Sequence, residues 1–233
     1  MELEDIKNNL NKVVENVNLI KNKMHLSYDV TIIGVTKTQP DEVINYVKDN
    51  NLFTDLGENY IQEFVHKYDL APNLNWHTIG QLQSNKVKYI IDKTCLIHSL
   101  DRDSLAKEIN KQAVKHDKIM DCLIELNMGS ELSKGGINPN ELINFARYID
   151  DNYQNIRLRG VMAIMPNLGK CDKLADLYKK FYDDFLKLKL ELNQSRHKID
   201  IRSCGMTNDY EYAIEFANST HIRIGRAIFG ARK

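Results

Sequence analysis

Lys37 stands two residues past the apolar run Val30-Thr31-Ile32-Ile33-Gly34-Val35 and three residues before Pro40. The β-branched run reads as a parallel strand covered on both faces, so the lysine sits where that strand ends. In α/β proteins that end of the sheet carries the ligand site. An amine held there against apolar walls loses hydration, its pKa falls, and it can attack an aldehyde. Taken alone, a lysine just past a strand reads more simply as solvated surface. Two further stretches bear on it. Ser203-Cys204-Gly205-Met206-Thr207-Asn208 ends a strand and runs into a helix, offering hydroxyls and backbone N–H groups to an anion. Arg223-Ile224-Gly225-Arg226 ends the last strand with two guanidinium groups and a glycine that lets backbone come close. Together these residues describe an amine beside a phosphate cradle. The plainer alternative is that Ser203 and Thr207 cap a helix and Arg223 makes a structural ion pair, which leaves unexplained why three strand ends carry this chemistry at once.

Eight strands must place those ends together. They are read at 30–35, 52–57, 75–80, 95–100, 121–127, 156–165, 198–203 and 221–224. Between them, helices are read from Pro40 and at 59–70, 86–91, 102–115, 139–151, 172–192 and 209–217. Before the first strand, apolar residues recur at Ile6, Leu10, Val13, Val14, Val17 and Ile20, the period of an amphipathic helix from Leu3 to about Met24. Strict alternation predicts an α/β fold with a parallel sheet, and eight units predict a (β/α)8 TIM barrel with an extra N-terminal helix. The chain leaves room for only part of an eighth helix, so the N-terminal helix is expected to cover that side. An open doubly wound sheet is the alternative, but no Gly-x-Gly-x-x-Gly follows the first strand. With no repeat, low-complexity segment or linker, residues 1–233 read as a single domain.

Lysine plus arginine equals aspartate plus glutamate at 32 each, which removes the basic field that nucleic acid or an anionic membrane would need. Cys95, Cys122, Cys171 and Cys204 are far apart and show no metal-ligand spacing, so they read as reduced thiols. No targeting pattern opens the chain and no apolar run is long enough to span a bilayer. A cytoplasmic monomer is expected, with neither nucleic acid nor membrane as partner. His77 reads as a satisfied core histidine and Trp76 as packing. Gly57-Glu58-Asn59 reads as a turn that could serve only as a helix cap, and Lys134 with Gly135-Gly136 as a loop above the barrel mouth.

Five motifs in order bear a family resemblance. They are Val35-Thr36-Lys37; Phe53-Thr54-Asp55-Leu56-Gly57-Glu58-Asn59-Tyr60-Ile61-Gln62-Glu63; Trp76-His77-Thr78-Ile79-Gly80-Gln81-Leu82-Gln83-Ser84-Asn85-Lys86; Ser203 to Asp209; and Arg223 to Arg232. Over nearly the whole chain the sequence resembles the pyridoxal-phosphate homeostasis proteins, whose single barrel is similar to the N-terminal domain of alanine racemase. The resemblance implies that Lys37 forms the Schiff base with pyridoxal 5′-phosphate. It implies that Ser203 and the Gly225–Arg226 backbone hold the phosphate, with Met206 in the same loop. Arg223 would face the phosphate or the ring nitrogen, and Asn59 would lie beside the cofactor. Cys204 and Thr207 stand where the family more often has methionine and serine.

Two functions compete under that resemblance. A carrier or buffer in vitamin B6 homeostasis would hold the cofactor as an exchangeable imine and pass it to apo-enzymes. An amino-acid racemase would need a base on each face of the cofactor. In alanine racemase the second base is a tyrosine from another domain, which this chain is expected to lack. An arginine at the ring nitrogen would also weaken the ring as an electron sink. Both points lead to a non-catalytic carrier as the expectation. A Schiff-base aldolase shares the lysine and phosphate site but not the motif set.

Overall fold

A computed structural model describes residues 2–129 and 135–230. Its strands are β1 (Thr31–Val35), β2 (Asp55–Glu58), β3 (Asn75–Thr78), β4 (Thr94–Leu100), β5 (Met120–Leu126), β6 (Ile156–Ala163), β7 (Ile201–Ser203) and β8 (His221–Ile224). They follow one another around a closed, all-parallel barrel. β8 pairs with β1 from Thr31↔His221 to Gly34↔Ile224, and with β7 at Ser203↔His221. Closure therefore puts the ends of β1, β7 and β8 side by side, as the sequence predicts.

The shell is α1 (Leu3–Lys23), α2 (Asp41–Asp49), α3 (Ile61–Leu70), α4 (Asp103–Lys115), α5 (Leu142–Asn152), α6 (Asp172–Glu191), α7 (Tyr210–Ala217) and α8 (Arg226–Phe229). α1 buries Ile6, Leu10, Val13 and Val17 on one face, each contributing about 1.5–3 kcal/mol of apolar burial. That face packs on α7 and α8, where Asn9 Nδ2 donates to the Ile228 carbonyl at 3.2 Å and Asn16 Nδ2 to Tyr210 Oη at 2.7 Å. The eighth helix is thus a single turn and the N-terminal helix covers the remaining side.

Several boundaries differ from expectation. The helix read at 86–91 is instead a 3-10 helix, Ser84–Tyr89, with Val87 buried in it and Ile90 and Ile91 buried just beyond its end. β6 stops at Ala163 rather than 165, and β7 starts at Ile201 rather than 198. Gly57 and Glu58 belong to β2, and α3 begins only at Ile61 with Tyr60 as its N-cap, so that stretch is not a cap. Trp76 is fully buried, donates to the Ala71 carbonyl at 2.8 Å and meets Phe64 edge-on, as a packing residue should. The four cysteines are unbridged. Among the described residues no helix is long and apolar enough to cross a membrane, and no cluster of metal-ligating side chains occurs.

Barrel interiors of this class are usually filled by branched apolar side chains. Here Leu96, Leu123, Met162 and Ile201 form a small apolar cluster apart from the main core. Asp55, His77, His98, Ser203 and Arg223, from β2, β3, β4, β7 and β8, form a connected polar set.

Candidate functional site

Lys37 projects from a turn that is fixed on both sides. Lys67, on α3 and 2 % exposed, spends its three N–H donors on Thr36 O (2.6 Å), Glu58 Oε2 (3.0 Å) and Glu63 Oε2 (2.6 Å). The buried Glu58 in turn accepts from Thr36 Oγ1 at 2.9 Å and from the Asn59 N–H at 2.9 Å. Beyond the lysine, the Thr38 N–H donates to Glu63 Oε2 at 2.8 Å. Burial pushes the Glu63 carboxyl up, but the hydrogen bonds from Lys67 and Thr38 more than offset it and leave its pKa below the usual carboxylate value. Thr38 sits at φ +63°, a conformation costly for a β-branched residue. The carboxylate–ammonium cluster holds that strained turn and with it the backbone of Lys37.

The facing wall is built by the β7–α7 loop and the β8–α8 turn. Gly205 makes the sharp exit from β7 at φ +93°, where a Cβ would meet Ala213 Cβ at 2.6 Å and Tyr210 Cα at 2.9 Å. Asp209 organises the loop by accepting from the Met206 N–H at 2.7 Å and from Tyr178 Oη at 2.7 Å. Thr207 Oγ1 accepts from the Ala227 N–H at 3.3 Å and so ties one loop to the other. The backbone N–H groups of Thr207, Asn208 and Gly225 have no acceptor among the described residues. Unpaired donors of this kind, at a place where loop backbone and helix starts favour negative charge, suit an anion.

Arg223 lies between the two loops, 4 % exposed. Nη1 donates to Ser203 Oγ at 2.8 Å and Nη2 to the Ala163 carbonyl at 3.0 Å. Both acceptors are neutral, and no carboxylate forms an ion pair with this guanidinium among the described residues. Burial lowers its pKa from the ordinary arginine value, yet a guanidinium remains protonated at any working pH. A buried positive charge without a counter-ion is costly unless a ligand supplies one. Further along the mouth, Glu125 on β5 is 7 % exposed and its carboxylate makes no hydrogen bond among the described residues. Burial and the nearby Asp101 carboxylate push its pKa up to about 7, against the pull of Arg223 and Arg102.

A cavity of about 760 Å³ opens between these walls. Of the residues singled out in the sequence, Lys37, Asn59, Met206, Arg223, Gly225 and Arg226 line it. Asn59 Oδ1 is buried there without a hydrogen-bond partner. Ser203 is the exception: it is fully buried behind Arg223, does not line the cavity, and commits its hydroxyl to Arg223 and His98. As the last residue of β7 its side chain points into the barrel, whereas Thr207, four residues on in the loop, lines the cavity. The sequence reading placed Thr207 in the anion-binding stretch without singling it out, and the Glu58–Glu63–Lys67 cluster is what it missed. Thr207 had a signal in the hydroxyls between β7 and α7, while the cluster had only the Glu63–Lys67 spacing on one helix face. His77 is a satisfied interior histidine, as expected, bonded to Asp55 and His98. Lys134 lies outside the described residues; beside it, the Gly136 N–H reaches Asp101 Oδ2 at 3.5 Å.

Comparison with known proteins bears on the family and the fold. The sequence profile of the alanine racemase N-terminal domain matches residues 8–233. The pyridoxal phosphate homeostasis protein of Aquifex aeolicus is 40 % identical over 204 residues, 87 % of each chain. That of Pasteurella multocida is 37 % identical over 232 residues, 97 % of each chain. Among solved structures, a protein of unknown function from Bifidobacterium adolescentis superposes with a TM-score of 0.85 at 26 % identity, covering 97 % of this chain and 95 % of that one. PipY of Synechococcus elongatus, solved with pyridoxal phosphate bound, gives 0.81 at 24 % identity, covering 97 % of this chain and all of that one, a likeness of fold.

Proposed function

The chain belongs to the pyridoxal phosphate homeostasis proteins, a family built on the alanine racemase N-terminal domain, and on that footing we propose that it holds pyridoxal 5′-phosphate reversibly on Lys37 and buffers or delivers it without turning over a substrate. One observation carries the reading. The buried guanidinium of Arg223, without an acid partner among the described residues, and the amine of Lys37, carried on a turn held at Thr36 and Thr38, line the same cavity, which falls in the size range of cofactor pockets. When bound, pyridoxal 5′-phosphate supplies an aldehyde that an amine converts reversibly into a Schiff base, and a phosphate that anchors it.

The residues divide that work. Arg223 offers its charge to the phosphate or a hydrogen bond to the ring nitrogen, and the unpaired N–H groups of Thr207, Asn208 and Gly225 bind phosphate oxygens. Arg226, exposed at the rim, draws the anion in. Asn59 and Met206 line the same cavity, where Asn59 would lie beside the ring and Met206 would cover the loop side. Ser203 acts one layer back, as the acceptor that holds Arg223. A racemase would need a second base, and this wall offers poor material for one. Its ionisable groups among the described residues are Lys37, Asp209, Arg223 and Arg226, and the Asp209 carboxylate is already occupied by the Met206 N–H and Tyr178.

The test is to load purified protein with pyridoxal 5′-phosphate, reduce with borohydride and map the labelled peptide. Unreduced loaded protein is then mixed with an apo-form of a pyridoxal-phosphate enzyme to follow recovered activity, with chiral analysis of L-alanine alongside. The adduct should fall on Lys37 and the apo-enzyme should regain activity. An adduct on Lys86 or Lys134, or amino-acid turnover near 1 s⁻¹, within the ordinary enzyme range of roughly 1–10³ s⁻¹, defeats the reading.

A further inference from the structure

Behind Arg223 a line of hydrogen bonds crosses the barrel. Ser203 Oγ, which accepts from Arg223, lies 3.0 Å from His98 Nδ1. His98 Nε2 is 3.0 Å from His77 Nδ1, and His77 Nε2 is 2.9 Å from Asp55 Oδ1. β4, which carries His98, neighbours β3 and β5, whereas β7, which carries Ser203, neighbours β6 and β8. The His98–Ser203 bond therefore spans the lumen. His77, His98 and Ser203 are each no more than 3 % exposed, so water does not compete for these groups.

Proton counting gives the line a single direction. A guanidinium only donates, so Ser203 Oγ is its acceptor, and the buried Ser203 proton has one partner in reach, His98 Nδ1. His98 is thereby the Nε2–H form and donates to His77 Nδ1, which leaves His77 as the Nε2–H form donating to Asp55. The reverse polarity would aim the Ser203 proton at nothing and, with neutral His77, set two lone pairs face to face at Asp55. Burial first, with the nearby Arg223 guanidinium acting in the same sense, holds the His98 pKa well below its usual value, in keeping with a neutral ring. At the far end burial raises the Asp55 carboxyl, but hydrogen bonds from His77, Thr54 and Asn75 leave it lowered overall, so the line ends on an anion.

We propose that Asp55, His77 and His98 are positioning residues for Arg223, a one-way hydrogen-bond chain that fixes the guanidinium through neutral groups and keeps its charge for the ligand. An acid placed directly against Arg223 would orient it equally well, but it would cancel the charge that an anionic ligand must meet. Two neutral imidazoles and a hydroxyl orient without cancelling, and the compensating carboxylate stands at the opposite end of the barrel interior. The inference rests on the proposed site only for its effect on binding, since the proton positions belong to the unliganded chain.

Histidine-selective ¹⁵N NMR of the unliganded protein reads those positions directly. His77 and His98 should both be neutral with the proton on Nε2, and Ser203→Ala, by removing the donor to His98 Nδ1, should shift the His98 Nδ1 resonance to that of a lone pair without a donor while His77, still bonded to Asp55, keeps its tautomer. A purely packing role for the pair would leave both rings as tautomer mixtures that do not respond to Ser203→Ala. In parallel, His98→Phe should bind pyridoxal 5′-phosphate about fivefold more weakly or worse, the scale of part of one charged hydrogen bond. Should the wild-type protein fail to bind the cofactor, the proposed function falls while the tautomers still decide the chain. Should it bind and His98→Phe bind equally well, or His98 carry its proton on Nδ1, the chain is refuted. If His98→Phe does not fold, the wild-type tautomers and the Ser203→Ala shift at His98 settle the outcome alone.

Discussion

Replacing Glu125 by glutamine should stabilise the protein, and increasingly so as pH rises. The carboxyl is held to a pKa of about 7 in the folded chain against 4.5 as its ordinary value. With the folded value the higher one, its contribution to stability is fully present below about pH 4.5 and lost as pH rises through about 7. At about 1.36 kcal/mol per pKa unit the loss is about 3 kcal/mol once both states are ionised. Glutamine has nearly the same shape, cannot ionise, and can turn its amide N–H toward Asp101, the neighbouring carboxylate that raises Glu125. Burial first, then other charges, depress the pKa values of His98 and His221, so these rings act in the opposite sense: their stability is present above about pH 6.5 and lost below it. Both proteins carry these rings, so their effect cancels in the difference. Urea unfolding of the two proteins at intervals from pH 4.5 to 8.5 should show matching stability at the acid end. At the alkaline end Glu125→Gln should be ahead by up to about 3 kcal/mol. A glutamine variant that is less stable at pH 8.5, or a difference that does not change with pH, would refute the burial account of this carboxyl.

Two other substitutions probe the opposite walls of the cavity. Lys67→Met leaves Glu58 and Glu63 without their cation in a buried setting and should cost about 3–5 kcal/mol in thermal or urea unfolding; a loss below about 1 kcal/mol, the scale of a surface pair, would contradict the pinning role. Arg223→Gln should fold normally and retain the cofactor at least tenfold less well, since a charged hydrogen bond is worth about 1.5–3 kcal/mol. An unchanged dissociation constant in equilibrium dialysis would place Arg223 outside the ligand contacts.

Much of the fold could be read from the chain because the relevant signals are local. The β-branched run before Lys37 becomes β1, and the one-sided apolar period of α1 becomes the face that closes the barrel over α7 and α8. Lys37, Arg223 and Gly225 fall on one cavity because strand order alone sets their neighbourhood. What could not be read depends on facing and register. Ser203 and Thr207 are four residues apart with similar hydroxyls, and only the point where β7 stops decides that one faces the lumen and the other lines the cavity. The pairing of His77 with His98 needs the irregular register between β3 and β4. The anchoring of Thr36 by Lys67 joins a strand end to a helix 31 residues on, a contact that no sequence period announces.

If Lys37 carries the cofactor as proposed, the pinned turn also sets how often the covalent link could break without loss of the ligand. One amine confined with one aldehyde in about 760 Å³ corresponds to an effective concentration of about 2 M. Because Thr36 and Thr38 are both tethered, the lysine backbone cannot drift away after hydrolysis, and only side-chain torsions separate the two reactive atoms. Recapture then competes strongly with escape. On the proposed reading the residence time of the ligand would be governed by how long the phosphate stays between the β7–α7 and β8–α8 loops, and the covalent bond would serve as a latch that reopens and recloses within one visit.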